Sequence, residues 1–177
     1  MSRRNASLKT LDKFPNYMTG SISNSAANTF TTARVNTPLP RLKTSGKKAT
    51  VLELLKLEVE ITNTDIVANG DELNFQLVMG SVPTAHLEYN DPRVIATFSI
   101  VADIGANPGN TIIVYPLMHD FQSKDGYGML FAADSFHVSC DSSGMAAACN
   151  FYWRLHYRFV DIPLEEYVGI VQSTQQT

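Results

Sequence analysis

The four histidines of the sequence are candidates for metal binding or acid–base chemistry, but they are isolated from one another. They are His86, His119, His137 and His156. Neither a His-x-His nor a His-Glu-x-x-His pattern occurs, and a metal enzyme needs such clustering to place several ligands around one ion. Asp125 follows His119 closely enough to suggest a calcium loop, although the sequence favours a solvated acidic loop. We therefore predict no metal site.

The two cysteines, Cys140 and Cys149, are nine residues apart and form no Cys-x-x-Cys motif. This spacing argues against a zinc site and against a disulfide framework. A single bridge between them stays open as an alternative, because neighbouring strands of a hairpin can bring two cysteines within bonding distance.

Motifs for nucleophilic or phosphate chemistry are weak or missing in the sequence. There is no Gly-x-Ser-x-Gly elbow. The Asp-Gly-Tyr-Gly run at 125–128 has two glycines where a phosphate-binding loop has three, and a strand is predicted after it instead of a helix. Glu165 and Glu166 are adjacent, so their carboxylates diverge in a strand or a helix. We predict a protein that is not an enzyme and uses no cofactor.

A row of basic side chains alternates with the apolar residues of the last apolar segment. Arg154, His156 and Arg158 share one face of a predicted strand. They could bind a phosphate, or they could pair with acids of a neighbouring strand or subunit. The sequence favours pairing.

Charge is strongly segregated along the chain. Residues 1–48 have nine Lys and Arg against one acid, whereas residues 49–177 have five against sixteen. A basic, weakly hydrophobic segment joined to an acidic body is typical of an arm that meets an anionic partner, most often nucleic acid. The predicted nucleic-acid-binding residues are Arg3, Arg4, Lys9, Lys13, Arg34, Arg41, Lys43, Lys47 and Lys48.

The same boundary predicts the domain organisation. Residues 1–48 are rich in Ser, Thr, Asn and Lys, so they are predicted to form a partly flexible arm, and little of residues 1–28 is expected to join a core. Within this arm, residues 29–35 have the composition of a short strand that could pair at a sheet edge. Residues 49–177 form the predicted body.

The body has the pattern of an all-β protein. Apolar residues alternate with polar ones over 55–61, 73–79 and 151–159. Further strands are predicted at 94–101 and 111–115, and residues 130–140 are predicted to form one strand or two. The strand at 73–79 could pair back on the strand at 55–61. Long connections between such strands are typical of Greek-key sandwiches such as the jelly roll. The residues predicted to lie in the core or at a subunit contact are Phe151, Trp153, Tyr157, Phe159 and Tyr167.

Length and hydropathy complete this prediction. The 177 residues suffice for one domain with one core. Apolar runs are far shorter than the roughly 18 residues that span a bilayer, and no apolar segment follows the first basic residues. We expect a soluble protein without a membrane partner.

The C-terminal third resembles a known family. The motifs are Asp-Gly-Tyr-Gly-Met-Leu-Phe-Ala-Ala-Asp at 125–134, Tyr-Arg-Phe at 157–159 and Glu-Tyr-Val-Gly-Ile-Val-Gln-Ser at 166–173, together with residues 37–41 and 48–56. They are similar to the capsid proteins of small circular single-stranded DNA viruses that encode a replication initiator. The resemblance implies an eight-stranded single jelly roll that self-assembles into an icosahedral shell, with its basic arm facing the packaged genome. Arms of that family are often denser in arginine.

Two functional hypotheses follow. The first is a viral capsid protein, part of the virion and assembled inside the host cell, whose partners are copies of itself and a genome of single-stranded DNA. The alternative is a trimeric jelly-roll binding module, lectin-like or used for attachment, in which Tyr115, Tyr127 or Tyr152 contacts a ligand. The host receptor is unknown, and the loops 80–92, 103–110 and 118–127 are candidates to bind it because loops carry function more often than strands.

Overall fold

The computed structural model describes residues 9–10, 12, 14–38, 47–62, 70–101 and 117–175. These residues form two antiparallel sheets and one helix. Sheet A contains β1 (Lys9–Thr10), β2 (Asn16–Ser23), β4 (Lys48–Thr62), β7 (Leu117–Asp120), β8 (Met129–Phe131) and β10 (Asn150–Pro163). Sheet B contains β3 (Thr31–Asn36), β5 (Glu72–Val78), β6 (Val94–Val101) and β9 (Ser135–Ser143).

The strand pairing is nested from the ends of the chain inward. The pairs are β2 with β10, β3 with β9, β4 with β7 and β8, and β5 with β6. Two further pairings, β10 with β4 and β9 with β5, complete the two sheets. A long hairpin rolled up in this way is a jelly roll, with β1 and β2 in line on one side of sheet A and β7 and β8 in line on the other. The predicted all-β jelly-roll class is confirmed.

The core lies between the sheets and is built by alternation. Inward residues of β4 and β10, such as Leu57 and Leu155, meet inward residues of β5 and β9, such as Phe75 and Val138. Successive side chains of a strand point to opposite faces, so the apolar rows predicted from sequence are the rows that pack here. The register of β10 against β4 shifts between His156 and Tyr157, where β4 has one extra residue, Leu55.

A helix that the sequence analysis missed covers one end of the outer face of sheet A. The helix, α1 (Leu164–Gln175), follows Pro163 directly. Tyr167 and Ile170 pack on a second apolar cluster made by Val51, Val160 and Ile162. The helix includes residues 173–175, and residues 176–177 lie outside the described residues.

The structure places part of the predicted arm inside the sandwich. Strand β2 pairs with eight residues of β10, and Ile22 is buried in the core. Strand β3 is an edge strand of sheet B, which confirms the edge strand predicted near residues 29–35. Residues 16–36 are therefore needed for the eight-strand pattern, and the expectation that little of residues 1–28 joins a core is corrected.

Other strand predictions have mixed outcomes. The strand predicted at 73–79 exists as β5, but it lies in sheet B and does not pair with β4. The segment 130–140 forms two strands, β8 and β9. The strand predicted at 111–115 lies outside the described residues.

Cys140 and Cys149 are both buried and unbridged, and burial raises the pKa of the Cys140 thiol to about 12.

Deleting residues 1–28 removes β1 and β2 together with their pairing to β10. We expect this deletion to abolish the cooperative thermal transition seen by circular dichroism, because β10 then loses a neighbour along ten of its fourteen residues and the core loses Ile22. Deleting only residues 1–8 should leave the transition in place, since β1 begins at Lys9. A transition that survives the longer deletion would contradict this role of β2.

Candidate assembly and nucleic-acid surfaces

The outer face of sheet A displays rows of polar side chains across β2, β10 and β4. In one row, Cα partners place Arg154 between Thr19 and Glu58. In the next row, Tyr152 lies between Ser21 and Glu60. The strand register thus decides which side chains can meet across this face.

Glu58 is the centre of an ion-pair network on this face. Its carboxylate lies 2.6 Å from Lys56 Nζ, 3.3 Å from His156 Nε2 and 3.7 Å from Arg154 Nη1. The hydrogen bond from Lys56 is the largest influence that lowers the pKa of Glu58, and His156 adds to it. Arg154 also stacks over the ring of Tyr17 at 5.5 Å. These contacts confirm that Arg154 and His156 of β10 pair with an acid of a neighbouring strand.

A second and more buried pair lies on the same face. Arg158 donates from Nε to Glu53 Oε2 at 2.5 Å and from Nη2 to Oε1 at 3.1 Å. The side chain of Glu53 is 3% exposed and that of Arg158 is 26% exposed. This two-point contact raises the pKa of Arg158, so the guanidinium stays charged.

The Asp-Gly-Tyr-Gly run at 125–128 closes over this pair. The backbone N–H of Gly128 donates to Glu53 Oε1 at 2.7 Å, and the carbonyl of Gly126 accepts a bond from Arg158 at 3.4 Å. A Cβ at Gly128 would collide with the carbonyl oxygen of Leu54, and Gly126 has a φ of +78°. Both glycines are required by backbone geometry, so the motif has a structural role.

The predicted nucleic-acid-binding residues fall into two groups. Arg34, Lys47 and Lys48 are described with their side chains, and Lys9 with its backbone alone. The others, Arg3, Arg4, Lys13, Arg41 and Lys43, lie outside the described residues.

The described members of this set lie at one end of the sandwich, which we call the helix end. It is the end where β3 finishes, β4 begins and α1 follows β10. Lys47 and Lys48 are exposed there, and the backbone of Lys9 lies opposite that of Asp161 in the strand register. Arg34 Nη2 lies 3.8 Å from Asp134 Oδ1. The first turn of α1 adds two exposed carboxylates at the same end, those of Glu165 and Glu166.

The structure places four of the five predicted contact aromatics in or against the core between the sheets, and the fifth on the outer face of sheet A. Phe151, Trp153 and Tyr157 are buried between the sheets, and Phe159 packs partly buried against them. Tyr167 lies between α1 and sheet A, where it packs on the second apolar cluster.

A polar seam on sheet B was missed by the sequence analysis. The loop 80–92 folds over the outer face, where Gln76 exchanges two hydrogen bonds with the backbone of Leu87 and contacts His86. His137 is buried nearby on the same face, with no hydrogen-bond partner for either ring nitrogen among the described residues. Of the other candidate receptor loops, residues 118–120 belong to β7 and 103–110 lie outside the described residues.

A shallow groove of about 490 Å³ crosses the middle of the outer face of sheet A. It is lined by Thr19, Gly20, Ser21, Glu58, Glu60, Tyr152, Trp153 and Arg154.

Within the described part of the chain, no three His, Cys, Asp or Glu side chains are grouped to hold a metal ion. The described helix is too short to cross a bilayer.

Replacing Glu53 by Gln tests the buried pair. We expect the free energy of unfolding to fall by about 3 kcal/mol, because the guanidinium of Arg158 is left without a counter-charge. Urea denaturation measures this change. The matched control, Glu60→Gln, alters an exposed position of the same strand and should stay within about 0.5 kcal/mol of the parent protein.

The seam on sheet B predicts a loss of stability in mild acid. Burial lowers the pKa of His137 below its ordinary 6.5, with the charge of Arg34 adding to this, and burial also lowers the pKa of His86. Below pH 6.5 the unfolded chain binds more protons than the folded one, so the free energy of unfolding should decline as the pH falls through this range. Chemical denaturation between pH 7.5 and about pH 5 measures the slope. His137→Gln and His86→Gln should each flatten it, and an unchanged slope in both would contradict the assignment.

Comparison with known proteins gives structural neighbours only. No family model matches the sequence, and no curated protein resembles it in sequence. VP1 of Trichodysplasia spinulosa-associated polyomavirus, solved in complex with 3′-sialyllactose, matches with a TM-score of 0.52 and 10% identity, over 89% of this chain and 100% of that chain. VP1 of Merkel cell polyomavirus with GD1a oligosaccharide matches with a TM-score of 0.54 and 9% identity, over 88% and 99%. Its unassembled pentamer matches with a TM-score of 0.52 and 9% identity, over the same shares.

These neighbours are viral capsid proteins, and they do not come from the single-stranded DNA virus group that the C-terminal motifs resemble. At 9–10% identity, the similarity concerns the fold. The chain has the jelly-roll fold that these viral capsid proteins share.

Proposed function

We propose that this chain is a viral coat protein whose copies assemble into a small icosahedral shell around a genome. It acts as a structural component of the virion, assembled inside the host cell, and performs no catalysis. The observation that carries the proposal is the jelly-roll fold, which this chain shares with the polyomavirus VP1 proteins over nearly the whole length of both chains.

The distribution of charge supports a role in packaging. Arg34, Lys47 and Lys48 lie at the helix end, and Arg41 and Lys43 lie between them in the sequence. The remaining predicted contacts, Arg3, Arg4, Lys9 and Lys13, precede β2. In a shell, the helix ends of many copies would face the interior. Together they would neutralise the phosphates of the genome even if each copy contributed few contacts.

The C-terminal resemblance supports single-stranded DNA as the genome. The motifs that carry it have structural roles here, since Gly126 and Gly128 close over the Glu53–Arg158 pair and Tyr167 packs α1 on sheet A. The motifs shared with that family therefore build the loop over the Glu53–Arg158 pair and the packing of α1 on sheet A.

The groove on sheet A favours a second candidate function, a glycan-binding trimer. Tyr152 is half-exposed in it, and hydroxyl and carboxylate groups surround the ring. Aromatic rings flanked by such polar groups suit sugars. Two of the neighbouring VP1 proteins were solved with oligosaccharides. Tyr127 is also exposed, and Tyr115 lies outside the described residues.

Sedimentation velocity at protein and nucleic-acid wavelengths tests the main proposal. We expect a megadalton boundary that carries nuclease-protected nucleic acid. A closed trimer with clear binding on a glycan array would favour the second candidate, and a monomer at every protein and salt concentration would exclude both.

The double variant Lys47→Gln, Lys48→Gln tests the helix end. We expect less nucleic acid per copy, and a slope of log K against log salt for single-stranded DNA that is shallower by about 1.4 if each lysine contacts one phosphate. Lys124→Gln is the control, because this exposed lysine is outside the predicted set. Equal losses in both variants would contradict a specific role for the helix end.

A further inference from the structure

Strand β2 is an edge strand whose outer side has no partner strand among the described residues. It pairs with β10 along its whole length, from Asn16–Tyr157 to Ser23–Asn150. Alternate residues of an edge strand direct their N–H and C=O groups away from the sheet, so about four residues of this eight-residue strand offer unpaired backbone groups.

The edge lacks the features that usually keep sheet edges apart. Residues 16–23 contain no charged residue and no proline, and the strand is not interrupted by a bulge. Among the other edges, β3 carries Arg34, while β7 has four residues and ends at Asp120. Strand β6 is also uncharged, but it leads directly into residues 102–116, which lie outside the described part. A long, uncharged edge is a template for pairing with another strand.

We propose that β2 pairs antiparallel with β2 of a second copy about a two-fold axis, so that two A sheets become one continuous sheet. This inference deepens the proposed function, on which it rests for the association of copies, and it names the contact between two subunits.

The side chains of β2 are suited to a copy of themselves. With Gly20 on the two-fold axis, Met18 faces Ile22 of the partner subunit, and both residues belong to the inward row. Met18 packs on the core and is still half-buried, because the sandwich is open at this side. The contact would continue the apolar layer from one copy to the next.

The outward row of β2 is complementary in the same register. Thr19 faces Ser21 of the partner subunit, and Tyr17 faces Ser23 of the partner subunit. No like charges meet across the axis, and hydroxyl pairs of this kind stabilise neighbouring strands. A two-fold contact uses the same patch on both subunits, which a strand paired with its own copy satisfies.

The test introduces charge into this edge and then removes the repulsion. The double variant Thr19→Lys, Ser21→Lys places lysines opposite lysines, and Thr19→Glu, Ser21→Glu does the same with carboxylates. We expect each variant alone to associate at least about tenfold more weakly than the parent in sedimentation velocity. An equimolar mixture should restore association, because opposite charges then face each other.

The control variant Thr97→Lys, Ser99→Lys places the same charges, with the same spacing, on the outward face of β6 in sheet B. Circular dichroism confirms that each variant is folded. Restored association of the mixture supports β2 pairing even if the control variant is also weakened. A β2 variant that associates like the parent, or a mixture that stays dissociated, would overturn β2 pairing. Neither result would contradict the proposed assembly of the parent protein into a shell.

Hydrogen exchange of the assembled parent protein provides a second measurement that needs no variant. Backbone amides of β2 should exchange at least about tenfold more slowly in the assembly than in dissociated protein. Equal exchange in the two states would overturn the pairing. A parent protein that never associates would contradict the proposed function itself, which is a separate result.

Discussion

The pairing of β10 with β2 on one side and with β4 on the other joins three distant parts of the chain in one sheet. The inward row of β10 supplies Phe151 and Trp153 to the core, while its outward row supplies the cations of the polar face. Because the two rows alternate on one backbone, a slip of one residue would bury the cations and expose the aromatics. The register of β10 therefore fixes both the core and the ion pairs.

The ion pairs connect this register to the loops. Glu53 on β4 binds Arg158 on β10 and the backbone N–H of Gly128. A single carboxylate thus joins two strands to the loop that leads into β8, next to the cluster on which α1 packs. Isolated surface pairs contribute little to stability, but a buried carboxylate with several donors holds its neighbours in one arrangement.

Sequence alone predicted the strands whose apolar residues are large and alternate regularly, such as β10. It missed β2 because Met18 and Gly20 give a weak apolar row and a single residue, Ile22, is fully buried. It missed α1 because Tyr167 and Ile170 have helical spacing over only one turn, and the cluster that they cover lies elsewhere in the sequence. The cations of β10 were correctly predicted to pair, but their partners could not be named, since strand register is a long-range property.

The nested pairing also has a consequence for biosynthesis. Strand β2 leaves the ribosome well before its only partner among the described strands, β10, which begins at Asn150. More than a hundred residues must be added before the two can meet, so closure of the sandwich is a late event with a high contact order. Until β10 is synthesised, β2 is an uncharged, unpaired strand that other nascent copies on the same mRNA can contact. Such chains are prone to aggregate until each β2 has paired with its own β10.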